Sequence, residues 1–174
     1  AGNFKIGDLV RITGTTSSYQ GERQIAVTEI ELISEGNEVK AVEITAKELN
    51  DGSKLGSLVT MSGTVESFEH ANGLVQTIMV TDAEGNVGRV FIDGYITTGY
   101  DVENLAVGAA ITVTGLASYD NSFDGPAPRI RVRDRKDVIC SAAPVVPEEP
   151  EVKVIAEGWS GYTTWKLTSD GVLT

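Results

Sequence analysis

Cysteine and histidine are nearly missing from this sequence, each occurring once in 174 residues. A single cysteine excludes an intrachain disulfide framework, and the pair together cannot build a zinc site of the finger or ribbon type. One histidine also leaves little room for a Ser/His/Asp or Cys/His nucleophilic centre. No apolar run approaches the roughly 18 residues needed to span a bilayer. Excess positive charge is absent as well: 14 basic against 25 acidic side chains give a net charge of −11. Residues 1–40 carry −2, residues 41–140 carry −6 and residues 141–174 carry −3, so no large segment has the electrostatic footprint of a nucleic-acid binder. Gly-rich phosphate loops, paired-carboxylate motifs and metal-ligand clusters are likewise not found. The reading is therefore non-catalytic, with no cofactor and no metal.

What the sequence does contain is ordinary globular composition, 41% hydrophobic and 22% charged, and a repeat. The phrase Gly7-Asp-Leu-Val-Arg-Ile-Thr-Gly14 recurs as Gly56-Ser-Leu-Val-Thr-Met-Ser-Gly63 and as Gly108-Ala-Ala-Ile-Thr-Val-Thr-Gly115. In each copy a β-branched residue stands three places after the first glycine (Val10, Val59, Ile111). An apolar residue stands at five (Ile12, Met61, Val113) and glycine closes at seven. Alternation with period two predicts a half-buried strand, and glycine at a fixed offset predicts a sharp bend where the strand curls. An aromatic follows each copy, at Tyr19, Phe68 and Tyr119.

The copies differ in what comes next. After the second, Leu74–Thr81, the turn-forming run Asp82–Asn86 and Val87–Ile92 predict a hairpin. The first and third are each followed by one strand, Gln24–Ile33 and Arg129–Val138. Thr45-Ala-Lys-Glu48 predicts a capping box opening one helical turn near 46–50, and Asp101–Leu105 is also compatible with helix. Residues 41–140 thus predict an all-β domain, a small five-stranded closed barrel with short helical connections. Residues 1–40 predict the C-terminal strands of a preceding similar module. Residues 141–152 are a Pro/Glu-rich linker, and residues 153–174 begin a following domain, so both ends read as cut from a longer modular chain.

The Gly-x-x-Val-x-(Ile/Met)-x-Gly-Thr phrase, its aromatic loop and the Gln24-Ile-Ala-Val-Thr28 strand resemble the OB-fold modules of bacterial extracellular nuclease-associated and multidomain cell-surface proteins. The phrase Trp165-Lys-Leu-Thr-Ser-Asp-Gly-Val-Leu-Thr174 resembles the opening of leucine-rich repeat regions in bacterial surface proteins. The resemblance implies an extracellular or cell-surface location, neighbouring domains in the same chain, and ligands held on the face of the second and third barrel strands.

On that face, Val90 and Ile92 suit the interior and turn Arg89 and Phe91 outward. The flanking loops are Glu66–Gly73, with Phe68 and His70, and Ser118–Pro128, with Tyr119 and Phe123. Arg129, Arg131, Arg133 and Arg135 alternate with apolar residues, so the four share one strand face. Of two readings, a binding module for single-stranded nucleic acid leads and a structural role is the alternative. In one, Phe68, Arg89, Phe91, Tyr119, Arg129, Arg131 and Arg133 stack bases and hold phosphates of single-stranded nucleic acid. In the other, the arginines pair with neighbouring acids, Phe91 is covered, and the module is a structural spacer or adhesin stalk. Carbohydrate binding on the same face is a third possibility. Asp82–Asn86 offers oxygens to calcium but lacks an EF-hand loop, and a plain turn explains it.

Overall fold

The computed structural model describes residues 4–141, 154–161 and 163–168. Two compact units result, Ala1–Pro144 and Val145–Thr174. In the first, β1 (Leu9–Tyr19) and β2 (Glu22–Ser34) form a long antiparallel hairpin. The short β3 (Val42–Glu43) follows, then α1 (Ala46–Asn50). Thr45 caps α1, its hydroxyl accepting from the Glu48 N–H while the Glu48 carboxylate accepts from the Thr45 N–H, as the sequence predicts.

The barrel consists of β4 (Leu58–Ala71), β5 (Leu74–Thr81), β6 (Val87–Phe91), β7 (Ala110–Tyr119) and β8 (Pro128–Val132). The strands run in the order β4-β5-β6-β8-β7, and β4–β7 pairing closes the ring. All pairs within it are antiparallel except β6–β8. This is the expected all-β, OB-like five-stranded barrel. A 3₁₀ turn (Arg135–Asp137) leads to β9 (Val138–Cys140), which pairs with β7. In the second unit β10 (Val154–Ser160) and β11 (Thr163–Thr168) form a separate hairpin. The linker residues 142–153 and the end of the repeat-like phrase, residues 169–174, lie outside the described residues.

The period-two pattern decides what fills the barrel. Val59, Met61, Ile78, Val80, Val90, Ile92, Val113, Ile130 and Val132 all point inward and are buried, with Ala46 and Leu49 of α1 packed against them. Cys140 joins this core as a buried free thiol, and burial pushes its pKa up. The repeat's closing glycines share one physical cause. A Cβ on Gly63 would lie 2.3 Å from the Thr81 carbonyl oxygen, and one on Gly115 would lie 2.5 Å from that of Arg131. Only glycine lets the neighbouring strand cross so closely.

Two local expectations change. Asp101–Leu105 forms turns, because the Asp101 carboxylate accepts from the Val75 and Val102 N–H groups and from Arg135. A side chain so engaged competes with helix formation. The strand expected over Arg129–Val138 stops at Val132, where Asp134 caps the 3₁₀ turn through the Lys136 N–H. Arg135 therefore leaves the arginine ladder and is buried elsewhere, donating to the Val75 carbonyl and to Asp101.

Candidate functional site: a filled barrel face

Parallel pairing of β6 with β8 sets Arg89 beside Arg129 and Phe91 beside Arg131. All four side chains lie on the outer face of the barrel, opposite Val90, Ile92, Ile130 and Val132. Arg89 points outward as expected, yet it is only 1% exposed and so is not open to a ligand. The loop joining β7 to β8 folds over it. Phe123 covers the Arg89 guanidinium at 4.3 Å, and Nη2 donates to the carbonyls of Asp120 and Ala127 at 3.2 and 3.3 Å. Arg89 Nε has no acceptor among the described residues.

Arg129 is buried beside it. Its guanidinium stacks on Phe91 at 4.4 Å, Nε donates to Ser118 Oγ at 3.0 Å and Nη1 donates to Asp120 Oδ2 at 2.6 Å. Asp120 is thus shared, with Arg89 Nη2 at 3.8 Å from the same oxygen. Burial alone would raise the Asp120 pKa. The hydroxyl and N–H of Ser122 and the two guanidinium groups outweigh it and hold the carboxyl below the ordinary range. Burial lowers both arginine pKa values, and both stay far above neutrality in any protein setting.

The rest of the ladder is paired too. Arg131, whose side chain is 43% exposed, donates to Asp93 at 2.8 Å. Arg133 makes a two-pronged contact with Asp137, each bond 3.0 Å. Phe68 does not stand in a loop. β4 continues to Ala71, and the turn is only Asn72-Gly73, both with positive φ. Phe68 packs against the core, edge-on to His70 with ring centroids 5.6 Å apart. It takes no part in the Arg89–Phe91 face.

What remains of this face is a cleft of about 300 Å³, and the β1–β2 turn forms its other wall. Tyr19, Gln20 and Glu22 of the hairpin face Phe91, Tyr119 and Arg131 of the barrel across it. The turn is docked, since the Asn121 N–H donates to the Gln20 carbonyl at 3.0 Å. Gly21 sits on the Tyr119 ring so closely that a Cβ would fall 2.6 Å from Cε1, and its φ of +81° suits glycine alone. Glu22 adds attraction to Arg129.

A larger hollow, about 670 Å³, lies near Tyr100, Arg135 and Cys140. Its cations are already engaged, Arg135 by Asp101 and Lys136 over the Tyr100 ring. The Asp82–Asn86 run is a turn in which Asp82 accepts from the N–H groups of Ala46, Glu84 and Asn86. Its two oxygens are occupied by these donors. No group of three or more metal-ligating side chains is found among the described residues.

Asp120, the carboxylate on which the arrangement turns, is not discernible as such in the sequence. Its role depends on β6 and β8 pairing in parallel across 40 residues of chain. The one available signal is its place directly after β7, at the mouth of the loop that carries Phe123. Compared with known proteins, the chain matches no family model and no curated sequence.

Proposed function

We propose that this chain is a non-catalytic structural module of a secreted or cell-surface multidomain bacterial protein, one that holds neighbouring segments at a fixed angle. The observation that carries this reading is the state of the barrel face used by OB-folds for oligomeric ligands. Its cations are bonded to carboxylates or stacked on phenylalanine, and its open side receives the β1–β2 turn. A surface that must release its own acids before taking phosphates starts at a disadvantage, and the net charge of −11 adds repulsion. As a joint, the same face works well: a backbone hydrogen bond, a glycine seated on a ring and opposite charges are short-range and orientation-specific contacts.

Binding of single-stranded nucleic acid is the second reading, favoured by one observation: Phe91 and Arg131 remain partly open in the cleft. Fluorescence anisotropy with a labelled short single-stranded DNA at about 50 and 200 mM salt separates the two, because phosphate contacts weaken steeply with salt. The structural reading expects no binding at the lower salt. Binding that falls with salt and disappears in a Phe91→Ala, Arg131→Ala variant would replace it with the nucleic-acid reading.

A further inference from the structure

The β1–β2 hairpin has the build of the β7–β8 half of the barrel. In β7–β8, Gly115 pairs with Val132, Leu116 with Arg131, Ala117 with Ile130 and Ser118 with Arg129. In β1–β2, Gly14 pairs with Val27, Thr15 with Ala26, Thr16 with Ile25 and Ser17 with Gln24. The close crossing at the glycine repeats as well. A Cβ on Gly14 would meet the Ala26 carbonyl oxygen at 2.3 Å and Ile25 Cγ2 at 2.8 Å. On Gly115 the corresponding contacts are Arg131 O at 2.5 Å and Ile130 Cγ2 at 2.7 Å. Position for position, Ile12, Ile25 and Val27 therefore stand where Val113, Ile130 and Val132 stand in the barrel.

In the barrel those positions are sealed by β4, β5 and β6. On the hairpin they are open, with Ile12, Ile25 and Val27 at 45%, 52% and 46% exposure. Isolated two-stranded hairpins are marginal in water, and a contiguous apolar face of this kind marks an interaction surface. Both outer edges are also unpaired among the described residues. β4 pairs antiparallel with β7 over Ala110–Leu116, which corresponds to Leu9–Thr15. β6 pairs parallel with β8 over Arg129–Arg131, which corresponds to Gln24–Ala26.

We propose that the β1–β2 face is the docking surface for a three-stranded antiparallel meander of the β4–β6 kind, and that the two close a second OB-like barrel. The established contact between β4–β6 and β7–β8 is the template for the missing half. The occupant is a segment of the same polypeptide ahead of Leu9, since in the barrel the meander precedes β7 along the chain. A further copy of the glycine phrase belongs about fifty residues before Gly7, as Gly56 stands before Gly108. This inference extends the spacer reading but rests on a separate observation, the shared register.

The test compares the 174-residue chain with one extended by about 100 residues of its natural upstream sequence, an ordinary domain's worth of chain. The readouts are amide hydrogen exchange over Leu9–Thr15 and Gln24–Ala26, and binding of a fluorescent hydrophobic dye. The shorter chain should bind the dye, and an Ile12→Ser, Ile25→Ser, Val27→Ser variant should bind less while its barrel exchange is unchanged. In the longer chain exchange at both edges should slow by at least about 100-fold and dye binding should disappear. Equal exchange in the two chains overturns the proposal. Edge protection in the shorter chain that grows with concentration overturns it as well, by showing that a second copy covers the face. Oligonucleotide binding moves none of these readouts, so failure here and failure of the spacer reading are distinguishable.

Discussion

Asp120 answers two guanidinium groups at once, and a substitution there leaves both buried without a carboxylate. Breaking a buried ion pair by removing one partner costs about 3–5 kcal/mol. Asp120→Ala should therefore lower the urea midpoint of the barrel sharply, with an unchanged slope. Arg133→Ala removes a partly exposed pair within a single turn and should cost no more than about 1 kcal/mol. The pH dependence follows from the same group. The folded pKa of Asp120 lies below its unfolded value, so its stabilisation is fully present above the ordinary carboxylate pKa of about 4. It is lost as pH falls through the depressed folded value. Asp82, pushed up by burial but held down more strongly by the Asn86, Glu84 and Ala46 donors, contributes in the same direction. Thermal unfolding followed from pH 7 to pH 2 should show stability falling only in the acid range, and Asp120→Asn should flatten that fall. At this scale the sequence was a partial guide. The alternation of Arg129 and Arg131 with Ile130 and Val132 placed the guanidiniums on the outer face correctly. Whether that face was open depended on the β7–β8 loop, whose fold is set by Phe123 on Arg89 and by the Asp120–Ser122 turn rather than by any periodic pattern.

Elements were far more legible, because strands and caps are local. The β5–β6 hairpin, the Thr45–Glu48 capping box and the glycine bends all follow from spacing that a few neighbouring residues enforce. Two segments differ because one side chain overrules propensity, Asp101 taking backbone donors and Asp134 ending the strand early, and a third, Glu66–Gly73, continues β4 to Ala71 instead of opening a loop. The glycine bends supply a clean comparison. Gly115→Ala forces a Cβ against a backbone oxygen inside the barrel and should destabilise it by about 1–3 kcal/mol or more. Gly14→Ala makes the same clash in the hairpin. It should leave the barrel's unfolding midpoint in place while speeding hydrogen exchange around Ile25–Val27, a separation that a probe of barrel unfolding and residue-resolved exchange would reveal together.

At the scale of the whole molecule, the sequence conveys the repeat but not what the repeat is for. Three copies of one phrase establish that related strands recur. They do not reveal that the β1–β2 turn lies against the Phe91–Arg131 face, a contact made by Gln20, Gly21, Tyr119 and Asn121 from distant parts of the chain. A spacer role requires that contact to be a joint of fixed geometry, with the tip of one hairpin seated on the next barrel. Residual dipolar couplings measure it directly, by reporting whether β1–β2 and β4–β8 tumble as one body. A fixed joint gives a single alignment tensor for both in the native chain, separating into two in Tyr119→Ala, which removes the seat and leaves the Gln20–Gly21 turn intact. Two independent tensors in the native chain would contradict it.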